Sequence, residues 1–175
     1  MFFNHEGHHI PQANLCMFAK GGWHALSTAN LFASKTIVVF AVPGAFVQPY
    51  SSVRLSGYNR QAYAFKGYGV DKIICISVND PLSLAAWARE EEANQVRFIP
   101  DVNGDFTREL GMMVNLSNKG MGQRSWRYSM LVRDEVIEKM FVEPDGFETA
   151  PVVSDAKTML SYLSATAQKA EYAKR

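Results

Sequence analysis

Two apolar runs, Thr36–Val42 and Lys72–Val78, are rich in β-branched residues and carry almost no polar interruption. Continuous runs of this kind are the pattern of strands covered on both faces, as in parallel sheets buried between helices. Pro43-Gly44 stops the first run. Leu55, Tyr58, Ala62 and Phe65 then recur at helical spacing, and Lys66-Gly67 supplies a cation and a glycine for the helix end. After the second run, Asn79-Asp80-Pro81 offers a capping residue and then proline at the first helical position, where its missing N–H costs nothing. Leu84, Trp87 and Ala88 form the buried stripe of that helix. Val96–Ile99 reads as a short third strand and Phe106–Met113 as a short helix ending near Gly111. Tyr128–Val132 and Val136–Val142, on either side of Arg133-Asp134-Glu135, form a β-hairpin pattern. Ser154-Asp155 can cap a last helix through Met159, Leu160 and Leu163. Upstream, Gln12–Phe18 and Trp23–Ser27 around Lys20-Gly21-Gly22 predict a further hairpin.

Parallel strands linked by helices, followed by an antiparallel hairpin and a closing helix, imply an α/β fold. The expected architecture is thioredoxin-like: a mixed central sheet flanked by helices on both faces, with an added N-terminal β-hairpin. The length of 175 residues fits one domain, read here as residues 1–163. Residues 164–175, rich in alanine and charge with few apolar anchors, read as a loosely ordered tail.

Composition narrows the function classes. A formal net charge of +1 gives no electrostatic reason for a nucleic-acid or anionic-membrane partner. The longest apolar stretch, Ile37–Phe46, contains Pro43 and Gly44 and is far shorter than the roughly 18 residues of a spanning helix. The N-terminus, MFFNHEGHHI, lacks the basic and apolar regions of a secretion signal. Cys16 and Cys75 do not make a disulfide scaffold. The expectation is a soluble, cytoplasmic protein.

Ligands of open α/β sheets meet the loops at the carboxyl ends of strands, which directs attention to Pro43–Tyr50. Free N–H groups at the following helix start favour an anion or a thiolate. Other features are weaker. Cys75, inside an apolar strand, reads as a packing residue, whereas Cys16, in the N-terminal hairpin, has no activating neighbour in sequence. His5, His8 and His9 lack a companion ligand set beyond Glu6, so a disordered polar N-terminus is expected rather than a metal site. Asp101 with Asn103-Gly104 reads as a turn, since the spaced acidic ligands of a calcium loop are missing.

The segment Val38-Val39-Phe40-Ala41-Val42-Pro43-Gly44-Ala45-Phe46 resembles the active-site approach of type-5 peroxiredoxins, in the alkyl-hydroperoxide-reductase/thiol-specific-antioxidant superfamily. The resemblance continues, in order, through Ile76–Asp80, Phe98–Gly104, Arg124–Val132, Glu138–Pro144 and Val153–Ala156, over roughly residues 8–163. It is especially close to the bacterial branch that sometimes carries a fused glutaredoxin domain, a domain expected to be missing here. The family site reads Pro-x-x-x-Thr/Ser-x-x-Cys with a distant arginine. On this alignment the proline is Pro43 and the arginine is Arg127. The threonine position holds Val47, and the peroxidatic cysteine position holds Tyr50. Proline has also moved, leaving Gln48 after the threonine position and Pro49 beyond it.

The resemblance thus implies a thiol-dependent peroxidase fold without its nucleophile. The family thiolate attacks the peroxide O–O bond, whereas a phenol has a reference pKa near ~10 and no sulfur to oxidise. Val47 supplies no hydroxyl to align peroxide. The reading that follows is a relative inactive as a peroxidase, kept for a binding or regulatory role in redox homeostasis. Weak peroxidase chemistry at Cys16, or binding of a small anion around Arg127 and Tyr50, remain alternatives. Tyr50 is either a plug in the peroxide pocket or a donor to a ligand, and Arg127 either an inherited structural residue or an anion holder. The family also implies a homodimer, to which Phe46, Met112, Met113, Leu116 and Met121 could contribute, and a thiol reductant or active paralogue as partner. It implies no cofactor and no metal.

Overall fold

The two apolar runs become neighbouring parallel strands at the centre of one sheet. The computed structural model describes residues 2–19, 21–47, 50–144 and 150–173. Strand β1 (Asn14–Ala19) and strand β2 (Gly22–Ser27) form the N-terminal hairpin, followed by a short helix α1 (Thr28–Phe32). Then come β3 (Thr36–Ala41), helices α2 (Tyr50–Arg60) and α3 (Ala62–Gly67), β4 (Lys72–Ser77), α4 (Pro81–Glu90), β5 (Val96–Pro100) and α5 (Asp105–Glu109). A small hairpin of β6 (Met113–Asn115) and β7 (Gln123–Ser125) precedes β8 (Tyr128–Arg133), β9 (Val136–Val142) and α6 (Ala156–Tyr172).

The central sheet runs β5-β4-β3-β8-β9, with β3, β4 and β5 parallel and β8 and β9 antiparallel. Alternation along β3 divides the core. Ile37, Val39 and Ala41 face one side, with Leu31, Phe32, Phe106, Leu110 and Met112. Val38 and Phe40 face the other, under Leu55 and Tyr58 from α2, Leu84 and Trp87 from α4 and Met159 from α6. There Phe40 stacks on Tyr58 with ring centroids 4.3 Å apart. Each fully buried side chain of this size contributes roughly 1.5–3 kcal/mol by leaving water. This is the thioredoxin-like α/β fold, with the mixed sheet, the helices on both faces and the N-terminal hairpin that the sequence predicts.

Several boundaries differ. The helix predicted through Phe65 is two helices, because Gln61 (φ −95°, ψ 10°) leaves the helical region between them. The Asp80 cap forms as expected, its carboxylate accepting the N–H groups of Leu82 and Ser83. Helix α5 stops at Glu109, and Met113 belongs to a strand instead; Gly111 takes a left-handed φ of 68° between them. Helix α6 runs beyond Leu163 to Tyr172, with its side chains exposed after Thr166, and residues 174–175 lie outside the described residues.

The N-terminal arm also differs from the disordered segment expected from its polarity. Ile137 exchanges backbone bonds with the arm, as Gly7 N–H donates to the Ile137 carbonyl and Ile137 N–H to the His8 carbonyl. Glu6 accepts from the Met140 N–H and pairs with Lys139 at 2.9 Å. The arm thereby covers the open edge of β9, whose unpaired N–H and C=O groups need a partner.

Candidate functional site

The site lies where the loops after β3 and β4 meet the start of α2. Pro43 and Gly44 are buried at the end of β3, Ala45 and Val47 are half-buried, and Phe46 is 45% exposed with a φ of 61°. A left-handed phenylalanine is costly, so the surroundings must hold it. They do so through Asn79, whose Oδ1 accepts the Ala45 N–H at 3.0 Å. The Ser77 hydroxyl lies within hydrogen-bond distance of both Asn79 Oδ1 (2.8 Å) and the Val42 carbonyl (3.2 Å). Gly44 is closely packed, and a side chain there would make its neighbours shift by a few tenths of an ångström. A Cβ there would meet Val47 Cγ2 at 3.1 Å and Arg124 Nη1 at 3.4 Å. Arg124 itself bridges two loops, donating from Nη1 to the Val78 carbonyl and from Nε to the Met121 carbonyl.

Tyr50 opens helix α2, directly after this loop. Gln48, Pro49 and the side chain of Tyr50 lie outside the described residues, so the plug expected of Tyr50 does too. One turn into the helix, Ser51 and Arg54 face inward beside Leu55 and Tyr58, and all four are buried. The Nη2 of Arg54 donates to the main-chain carbonyl of Tyr128. That bond ties α2 to β8 immediately after Arg127, which is itself only 3% exposed. Burial first, and then the charge of Arg127, pull the Arg54 guanidinium below its usual pKa, while Tyr58 and Glu143 act to raise it. Arg54 thus links α2, the helix that follows the Pro43–Val47 loop, to the strand that follows Arg127.

Glu143, at the end of β9, completes the surroundings. Its carboxylate accepts the N–H groups of Val152, Val153 and Ser154, together with the Ser154 hydroxyl. Burial alone would raise its pKa, but the Ser154 hydroxyl and those backbone donors hold it below the usual carboxylate range. Its carbonyl accepts from Trp126 Nε1 at 2.8 Å, and its N–H donates to the Arg127 carbonyl.

The two thiols are placed apart. Cys75 is fully buried on β4 beneath the helices, and burial pushes its pKa far up. Such a thiol stays protonated and inert. Cys16 is exposed on β1. Among the described residues no three histidines, cysteines or acids are grouped to hold a metal ion. Asp101 is a buried turn residue that accepts the N–H groups of Phe106 and Thr107. Met112 and Leu116 are buried, whereas Met113 and Met121 are half-buried.

The sequence from residue 6 to 160 matches the redoxin family. A peroxiredoxin from Synechocystis is 47% identical over 81% of this chain and 77% of its own length. The chain belongs to the peroxiredoxin family. A hybrid peroxiredoxin from Haemophilus influenzae is 46% identical over 91% of this chain, which spans 66% of that protein's length. A reduced peroxiredoxin from Vibrio vulnificus, solved in complex with hydrogen peroxide, superposes with a TM-score of 0.84 at 37% identity, covering 92% of this chain and 99% of that one. No helix among the described residues of this peroxiredoxin is long and apolar enough to cross a membrane.

Sequence reasoning did not single out Arg54, Arg124 or Glu143 at this site. Arg54 had a signal: it is a charge placed on the apolar stripe with Leu55 and Tyr58, at i+1 and i+4. Glu143 had none, because its partners are backbone N–H groups of a later loop.

Proposed function

We propose that this peroxiredoxin relative has lost the peroxidatic cysteine, and with it the family's peroxidase activity, and is kept for a binding or regulatory role in redox homeostasis. The observation that carries the reading is the residue at the start of α2, Tyr50, where the family alignment expects the nucleophile. A phenol cannot displace hydroxide or water from peroxide to give a sulfenic acid. Val47 adds to the loss, since it has no hydroxyl to orient the peroxide. Cys75 does not stand in, because it lies fully buried in the core and its thiol is held protonated. Pro43 and Arg127 are then inherited parts of the site without a thiolate to serve. The family further supports a homodimer, with an active paralogue or a thiol reductant as partner.

The second reading, thiol chemistry at Cys16, has the exposure of that side chain in its favour. Intact-mass analysis of the reduced protein after brief treatment with stoichiometric hydrogen peroxide separates the two. The proposed function predicts that both thiols stay reduced on the timescale at which a free thiol does. Rapid addition of oxygen to a cysteine would contradict it, and mapping that oxygen to Cys16 would establish the second reading.

A further inference from the structure

Arg54 is 2% exposed, and only its Nη2 has a hydrogen-bond partner, the Tyr128 carbonyl. Its Nε and Nη1 atoms are buried with no acceptor, and no carboxylate among the described residues forms an ion pair with it. Ser51, three residues earlier on the same helical face, is 3% exposed and its hydroxyl is likewise without a partner. The arginine and the serine thus present unused donors from one face of α2. Arg127 is near enough for its charge to be felt at Arg54.

The remaining groups near Arg54 do not take up its free donors. Glu143 is the acid among them, and its oxygens are engaged by the 152–154 segment. Tyr58, Tyr128 and Cys75 are buried and held in their neutral forms, their pKa values raised first by desolvation. A guanidinium does not escape by losing its proton, and a buried charge with unfilled donors is costly. Position 50, next to Ser51 on the helix, holds a phenol and supplies no thiolate as a counter-charge.

We propose that Arg54 and Ser51 on α2, together with Arg127, form a binding site for a small oxyanion. The ligand class is one of compact acceptors, an inorganic phosphate or sulfate or the carboxylate of a small acid, which suits the planar donors of arginine. The oxyanion takes the Nε and Nη1 hydrogens of Arg54 and the hydroxyl of Ser51, under the positive end of α2, an 11-residue helix. This inference rests on the reading that no thiolate stands at position 50.

The test titrates the full chain with inorganic phosphate, sulfate and formate against chloride at constant ionic strength. Binding is followed by calorimetry and by the side-chain Nε–H resonance of Arg54. The expected result is saturable binding of an oxyanion, a shift of that resonance, and affinity reduced by roughly tenfold or more in Arg54→Gln. Ser51→Ala weakens binding by a smaller factor, and serves as the test should Arg54→Gln fail to fold. Tighter binding of phosphate and sulfate, or of formate, supports the site in either case and separates inorganic from organic ligands. An Arg54 resonance unmoved by any of the anions, or equal binding in Arg54→Gln, would overturn the proposal. Peroxide turnover through a cysteine would overturn the reading of position 50 instead, and the titration distinguishes the two failures.

Discussion

Asn79 Oδ1 accepts the N–H of Ala45 at 3.0 Å, joining the loop after β4 to the loop after β3. The two loops belong to neighbouring parallel strands, so this bond fixes the approach to α2 from the strand beside it. The same oxygen is met by the Ser77 hydroxyl at 2.8 Å, and Phe46, next to Ala45, has its left-handed φ of 61°.

Asn79→Ala removes the acceptor and leaves the Ala45 N–H without its partner. The expected cost is about 1 kcal/mol, which lowers Tm by roughly 2–4 °C in a chain of this size. Amide exchange at Ala45 and Phe46 should quicken while the central strands stay protected. Unchanged exchange in the loop would show that Asn79 does not brace it.

Glu143 predicts an acid-sensitive fold. Its folded pKa lies below the usual carboxylate range, so its contribution is present above the unfolded value and lost as pH falls through the folded one. Glu143→Gln should therefore be less stable than wild type at neutral pH, and the gap should narrow as pH drops below about 4.3. Thermal melts of both proteins across that range provide the check. A gap independent of pH would mean that shape rather than charge holds the 152–154 segment.

Restoration of the family residues gives a graded expectation. Tyr50→Cys alone remains a poor peroxidase, because Val47 still lacks the hydroxyl that aligns peroxide. Adding Val47→Thr raises the rate, by about tenfold or more if the hydroxyl contributes one good hydrogen bond in the transition state. A single variant already as fast as the double would show that position 47 is not limiting.

The sheet was legible because its strands are long, apolar and β-branched, and because Asp80-Pro81 is a cap with a mechanism. Strands β6 and β7 were not, since three residues are too few to carry a period. The pairing of the arm with β9 was hidden for another reason. It is made largely by backbone groups of His8 and Gly7, which leave no side-chain signature. At the site, the alignment of Pro43, Val47, Tyr50 and Arg127 was available from ordered sequence blocks, whereas the burial of Arg54 needed the fold. Its neighbours Tyr128 and Glu143 lie far along the chain, and only the packing of α2 against β8 brings them within reach.

The most direct measurement is hydrogen-peroxide consumption by the pre-reduced wild-type protein with a thiol donor, beside a Cys16→Ser/Cys75→Ser variant. The loss of the nucleophile predicts that the two proteins consume peroxide equally, at the rate of donor and buffer alone. Turnover that depends on either cysteine would contradict it and establish a thiol peroxidase with a relocated nucleophile.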